Sequence, residues 1–202
     1  MDKILELAEK KRYRIGSLTF GEAIEIASEL DLPVSEVVLA EAMFRNSITK
    51  QEVLNAVINA FAHNLYAAEV GITSGSSFLF GEVAKELAEQ NFARRLIEDD
   101  LINRILVYTL AAQVGNHSCG LQPCAGTGDS CTYTGLFRAL KETVEDKEEL
   151  ARAVAVMLKV GTIFRAGKTS TGCNMEGFGA GAAATVATLV ELRKGHPQAM
   201  AK

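Results

Sequence analysis

Residues 115–135 read Gly115-Asn-His-Ser-Cys-Gly-Leu-Gln-Pro-Cys-Ala-Gly-Thr-Gly-Asp-Ser-Cys-Thr-Tyr-Thr-Gly135, with helical patterns on both sides. The stretch holds three of the four cysteines, Cys119, Cys124 and Cys131, together with His117, Asp129 and five glycines. Glycine turns let backbone N–H groups approach a ligand closely. Cysteines among them suggest a metal or a reactive thiol. The fourth cysteine, Cys173, lies in a second glycine-rich stretch, Thr171-Gly-Cys-Asn-Met-Glu-Gly-Phe-Gly179. The expected arrangement is a set of helices in which these two loops meet and make one site.

Working outward, every periodic segment reads as helix. Thr19-Phe-Gly-Glu22, Thr49-Lys-Gln-Glu52 and Asp146-Lys-Glu-Glu149 have the capping-box pattern that opens a helix. After the second, Val53, Leu54, Val57, Ile58, Phe61 and Leu65 recur at helical spacing, and Gly71 is expected to end that long helix. Further helices are expected over residues 2–11, 34–45, 78–92, from Asp99 or Asp100 into the opening stretch, over 132–144, from 146 to 165, and over 177–193. Residues 71–77 read as a polar turn. No stretch alternates apolar and polar residues for long enough to make a strand. The fold class expected is all-α, one multi-helix domain over residues 1–202, with the small-residue helix after Gly177 at its centre. A glycine costs a helix about 1 kcal/mol relative to alanine, so Gly177, Gly179 and Gly181 argue for close approach of another backbone or a ligand. His196-Pro197 looks like the start of one more helix. So short a helix has no stability of its own, and the sequence reads as truncated at the C-terminus.

Composition excludes several classes. Apolar residues make up 48% of the 202, enough for a substantial core, and tryptophan is absent. The net charge is −4 with both signs interspersed, which is no nucleic-acid footprint. The first residues do not read as a signal peptide. The uncharged run from Gly177 to Val190 is shorter than the roughly 20 residues a bilayer span needs. Four cysteines without a secretory signal fit a reducing compartment, so a cytoplasmic location is expected.

The cysteines are spaced C-x4-C-x6-C with the fourth 41 residues further on. This lacks the C-x2-C knuckle of a zinc finger. It leaves an iron–sulfur site and simple packing as small apolar residues both open. His117 is the candidate base or ligand in the loop, whereas His63 falls on an amphipathic helix. Asp129 and Glu176 either cap backbone N–H groups or orient a substrate ammonium. Lys168 either pairs with a carboxylate or is solvated.

Taken in order, the motifs resemble the alpha chain, or alpha domain, of iron–sulfur-dependent L-serine dehydratases (L-serine ammonia-lyases). Val34-Ser-Glu-Val-Val-Leu-Ala-Glu-Ala-Met43 is similar to the family's N-terminal helix. Gly71-Ile-Thr-Ser-Gly75 resembles its G-L-T-G-G turn. Asn116-His-Ser-Cys-Gly120 stands where the family has N-A-S-M-G, and Pro123-Cys-Ala-Gly126 where it has P-T-x-G. Gly172-Cys-Asn-Met-Glu176 and the Gly/Ala run after it resemble G-C-Q-x-E and its small-residue helix. The chain departs from the pattern at Cys124, which replaces Thr, and at residues 164–169, where the family has N-A-S-x-S-G.

The resemblance implies a lyase that removes water from L-serine to give pyruvate and ammonia. It implies a 4Fe–4S cluster on three thiolates, whose open iron acts as a Lewis acid on the hydroxyl. Cys173 matches a cluster ligand, with Cys124 and Cys131 as second-rank candidates. Two further family ligands lie in a C-terminal segment that this sequence lacks, and the family's beta chain or domain would be a partner in an oligomer. Thr73, Ser74, Gly75, Gly126, Thr127 and Asn174 are the expected substrate contacts, with the two turns cradling the carboxylate. His117 is the one base that the loops suggest, and a base from the partner chain is an equal alternative. A lyase acting on L-cysteine, or a non-catalytic helical module that binds a metal or a partner, are the alternative readings.

Overall fold

The computed structural model describes residues 1–60, 64–119, 131–166 and 176–201. The chain is all-helical, as the periodicity predicts, with no strand among the described residues. Among the described residues ten α-helices follow one another: α1 Asp2–Lys10, α2 Phe20–Leu30, α3 Val34–Asn46, α4 Lys50–Asn59, α5 Leu65–Thr73, α6 Val83–Ala93, α7 Asp100–Cys119, α8 Cys131–Thr143, α9 Lys147–Ala166 and α10 Ala182–Leu192. By packing, the chain divides into two compact units. The first is Met1–Asn59 with Asp146–Gly167 and Ala183–Lys202; the second is Ala60–Glu145 with Lys168–Ala182.

The helix starts follow the capping chemistry. The Thr19 hydroxyl accepts from the Glu22 N–H, and the Glu22 carboxylate accepts from the Thr19 N–H at 2.7 Å. Thr49 and Glu52 repeat the exchange. Asp146 accepts from the N–H groups of Glu148 and Glu149 at 2.7 and 3.0 Å. Asp99 caps α7 through the Ile102 N–H. Each bond satisfies a first-turn donor that has no partner within the helix.

In the first unit, α3 packs on α2, α4 and α9 around buried Ile26, Leu39, Val154 and Met157. An ion pair is sealed inside it. Lys159 Nζ lies 2.6 Å from Glu41 Oε2, with the two side chains 12% and 8% exposed. The same ammonium donates to the Leu18 carbonyl, and the Leu18 N–H donates to Glu41 Oε1. The pair therefore also satisfies both backbone groups of a buried residue, as a buried charge pair must to be tolerated. The turn Pro197–Ala201 packs on α2 as a 3₁₀ helix, and Gln198 donates to the Ser28 hydroxyl.

In the second unit, α7 lies between α5 and α8. Gly71 sits against the Ala111 backbone and Gly115 against the Ala67 backbone, so α5 and α7 run antiparallel at close range. Gly135 of α8 meets the Thr109 backbone in the same way. Ala67, Ala68, Ala111 and Ala112 are fully buried at this contact.

Several boundaries differ from the periodic reading. The long helix after Thr49 is two helices, α4 and α5, and Gly71 lies inside α5 rather than ending it. Its role is helix contact, not termination. Residues 78–82 are not helical. Ser77 and Gly81 exchange both backbone hydrogen bonds, Gly81 takes φ +54°, and α6 begins only at Val83. The glycine favours that left-handed turn over continuation of a helix. Residues 115–119 belong to α7 and 131–135 to α8, so helix enters the opening stretch from both ends. The small-residue helix begins with a wide π-type turn, Glu176–Gly181, and continues as α10. It is not enclosed: Ala184, Ala187 and Thr188 are buried, while Val186 is exposed.

Candidate functional site

Two of the segments that the sequence singles out come together in the second unit. Ser118, in the last turn of α7, donates its hydroxyl to the Ser76 carbonyl and accepts from the Ser76 N–H, both at 2.8 Å. This fastens the turn after α5 to the His117-Ser118-Cys119 end of α7. His117 is exposed, and its Nε2 lies 3.0 Å from the amide nitrogen of Gln113. Cys119, the last residue of α7, is half-buried and outside any disulfide.

The backbone amides of the turn after α5 have partners within the fold. The N–H groups of Ser74 and Gly75 both donate to the Val70 carbonyl, closing α5. The Ser76 N–H is held by Ser118, and the Ser77 N–H donates to the Gly81 carbonyl. The Thr73 hydroxyl donates to the Glu69 carbonyl. Four consecutive amides are thus consumed by the fold, because a helix end must first satisfy its own backbone. Gly75 is buried, and a Cβ there would press on the Val70 carbonyl, so its glycine serves the turn. Thr73, Ser74 and Gly75, the expected substrate contacts, thus use these backbone groups within the fold, and Ser74 is exposed to solvent.

The remaining expected site residues are placed less fully. His63, Cys124, Gly126, Thr127, Asp129, Lys168, Cys173 and Asn174 fall outside the described residues. Cys131 opens α8, and Glu176 opens the π-type turn. A cluster on three thiolates needs three cysteines in one place. Among the described residues no three His, Cys, Asp or Glu side chains gather as metal ligands would.

What sequence reasoning missed is a polar cluster on α5, α7 and α8. Glu142 accepts from Arg104 at 2.8 Å, from the Tyr108 hydroxyl at 2.6 Å and from Arg138 at 3.0 Å. Arg138 also stacks over the Tyr108 ring, 5.5 Å from its centroid. Burial and then the Glu142 carboxylate push the Tyr108 hydroxyl above its ordinary value, which keeps it a donor. Arg104 beside Asp100 holds that carboxyl below the usual range. The signals available in the sequence are two pairs four apart on one helix, Asp100 with Arg104 and Arg138 with Glu142.

No family model, no curated protein and no solved structure matches the chain. No helix of the described residues is long and apolar enough to cross a membrane.

Proposed function

We propose that the chain is the alpha chain, or part of it, of an iron–sulfur-dependent L-serine ammonia-lyase, working with a beta chain and a 4Fe–4S cluster on Cys173. The observation that carries this reading is the double hydrogen bond between Ser118 and Ser76. It joins the two family-like segments, 71–75 and 116–120, which a shared substrate site would require to be neighbours. In this reading His117 faces solvent next to that junction as the base, and the Ser74 hydroxyl is the polar contact left for substrate. The cluster would supply Lewis-acid activation of the serine hydroxyl when bound.

The test is anaerobic reconstitution with iron and sulfide, together with the beta chain and the family's downstream cysteine segment. Broad visible absorption and pyruvate formation are expected. Cys173→Ser should abolish the absorption and Cys119→Ser should keep it. No absorption under those conditions would overturn the lyase reading.

A second reading, a helical partner-binding module, has an observation of its own. Phe78, Leu79 and Phe80 are 101%, 72% and 44% exposed at the tip closed by Ser77 and Gly81. Contiguous exposed apolar side chains of this kind mark contact surfaces.

A further inference from the structure

A cleft of about 380 Å³ opens on the second unit, with Glu69, Asn91, Arg95, Asn103, Arg104 and Arg138 among its walls. We propose that it binds a small carboxylic acid, the size of an amino acid or a 2-oxo acid, with Arg95 and the Asn103 amide as anchors.

The Asn103 side chain is the first reason. Asn103 is only 4% exposed, yet it lines the cleft. Its Oδ1 accepts from the Ile97 N–H at 3.2 Å, which fixes the amide with Nδ2 pointing the other way. No hydrogen bond of that nitrogen is seen among the described residues, and Asn103 lines the cleft. Asn91 repeats the pattern: its Oδ1 accepts from the Leu96 N–H, leaving its NH2 group over. Two amides that line the cleft thus use their acceptors on one strip of backbone and keep their NH2 donors for other partners. A ligand there must accept hydrogen bonds.

The charges give the second reason. Arg95, Arg104 and Arg138 line the cleft with Glu69 and Asp100, and Arg104 and Arg138 are also paired with Glu142, so Arg95 is the arginine with donors to spare. Asp100 is already engaged by Arg104 at 3.0 Å and Arg95 at 3.3 Å. Glu142 behind them is saturated by Arg104, Tyr108 and Arg138. Among the described residues Arg95 makes one ion pair, and its side chain is 60% exposed, so most of its fork of five donors is open to a ligand. Such a fork matches a planar carboxylate. Ile72, Ala88 and Val107 supply an apolar wall for the rest of a small molecule. The volume lies at the small end of the range for ligand sites.

The cleft needs neither a cluster nor a partner chain, so it stands apart from the lyase reading. Calorimetry on the full chain, in air and without iron, tests it with L-serine, pyruvate, 2-aminoethanol and inorganic phosphate. Saturable millimolar or tighter binding of L-serine or pyruvate is expected, and none of 2-aminoethanol, which lacks the carboxylate. Arg95→Gln should weaken the carboxylate at least tenfold. Asn103→Asp keeps the acceptor for Ile97 but replaces the donor with a negative charge, and should weaken it at least as much. Circular dichroism of both variants checks that they are folded. Absence of binding by either carboxylate, binding unchanged in both folded variants, or tighter binding of phosphate than of either carboxylate would overturn the proposal.

Discussion

Gly71 of α5 lies against the Ala111 carbonyl of α7 so closely that a single added methyl group would occupy its space. Gly115 faces the Ala67 carbonyl from the opposite direction. The two contacts are reciprocal, and together they set how near the antiparallel helices come. Gly71→Ala or Gly115→Ala must push the helices apart, at a cost of about 1–3 kcal/mol for overpacking a tight contact. Gly21 in α2 is the control, with nothing within 4 Å of its added Cβ. Gly21→Ala should be neutral or gain up to about 1 kcal/mol from helix propensity. Thermal melts of the three variants check the order.

The Glu41–Lys159 pair should respond asymmetrically to mutation. Lys159→Met leaves a buried carboxylate and an orphaned Leu18 carbonyl, and should cost about 3–5 kcal/mol. Replacing both partners by apolar residues removes the lone charge but still orphans the Leu18 N–H and carbonyl. The double variant Glu41→Leu/Lys159→Met should therefore recover part of the loss and not all of it. Urea denaturation of the two single variants and the double variant measures this, and full recovery would contradict the role given to Leu18.

Glu191 gives a pH signature. It accepts from the Ser35 N–H at 3.4 Å, and burial raises its carboxyl above the ordinary value. A carboxyl with a raised folded value holds its proton longer in the native state than in the unfolded one. Its contribution is fully present below the unfolded value, about 4.5, and is lost as pH rises through the folded value. Glu191→Gln should thus stabilise the chain at neutral pH and make little difference in acid. Melting temperatures across that range, wild type against variant, should diverge as pH rises.

Ser118→Ala removes both bonds to Ser76. The helices should survive, since α7 is held by α5 and α8, with a loss of about 1 kcal/mol per hydrogen bond at most. The specific effect is on the turn: exchange of the Ser76 amide should speed up, while the Ala111 and Ala112 amides stay protected.

Exchange of Phe78 and Phe80 for serine should leave stability nearly unchanged, because both side chains are exposed. Solubility should rise, as the apolar tip is removed. A fall in melting temperature beyond a degree or two would mean that the tip packs on the fold.

The sequence by itself determined the class and most of the helix starts. A Thr or Asp followed three residues on by Glu fixes a first turn locally, and α2, α4 and α9 begin where those residues stand. Apolar spacing of three and four then marks the buried face without knowledge of what covers it. The meaning of the glycines was decided elsewhere. Gly71, Gly75, Gly115 and Gly135 look alike as punctuation in the chain. Two of them bring α5 and α7 together, one brings α8 to α7, and one closes a turn. Only the tertiary fold shows that the amides of residues 74–77 are already spent. It alone brings Ser118 to Ser76 across 42 residues of sequence and Arg104 to Glu142 across 38. Hydrogen bonds between segments so far apart leave no periodic trace, because each partner is chosen by packing rather than by its neighbours in the chain.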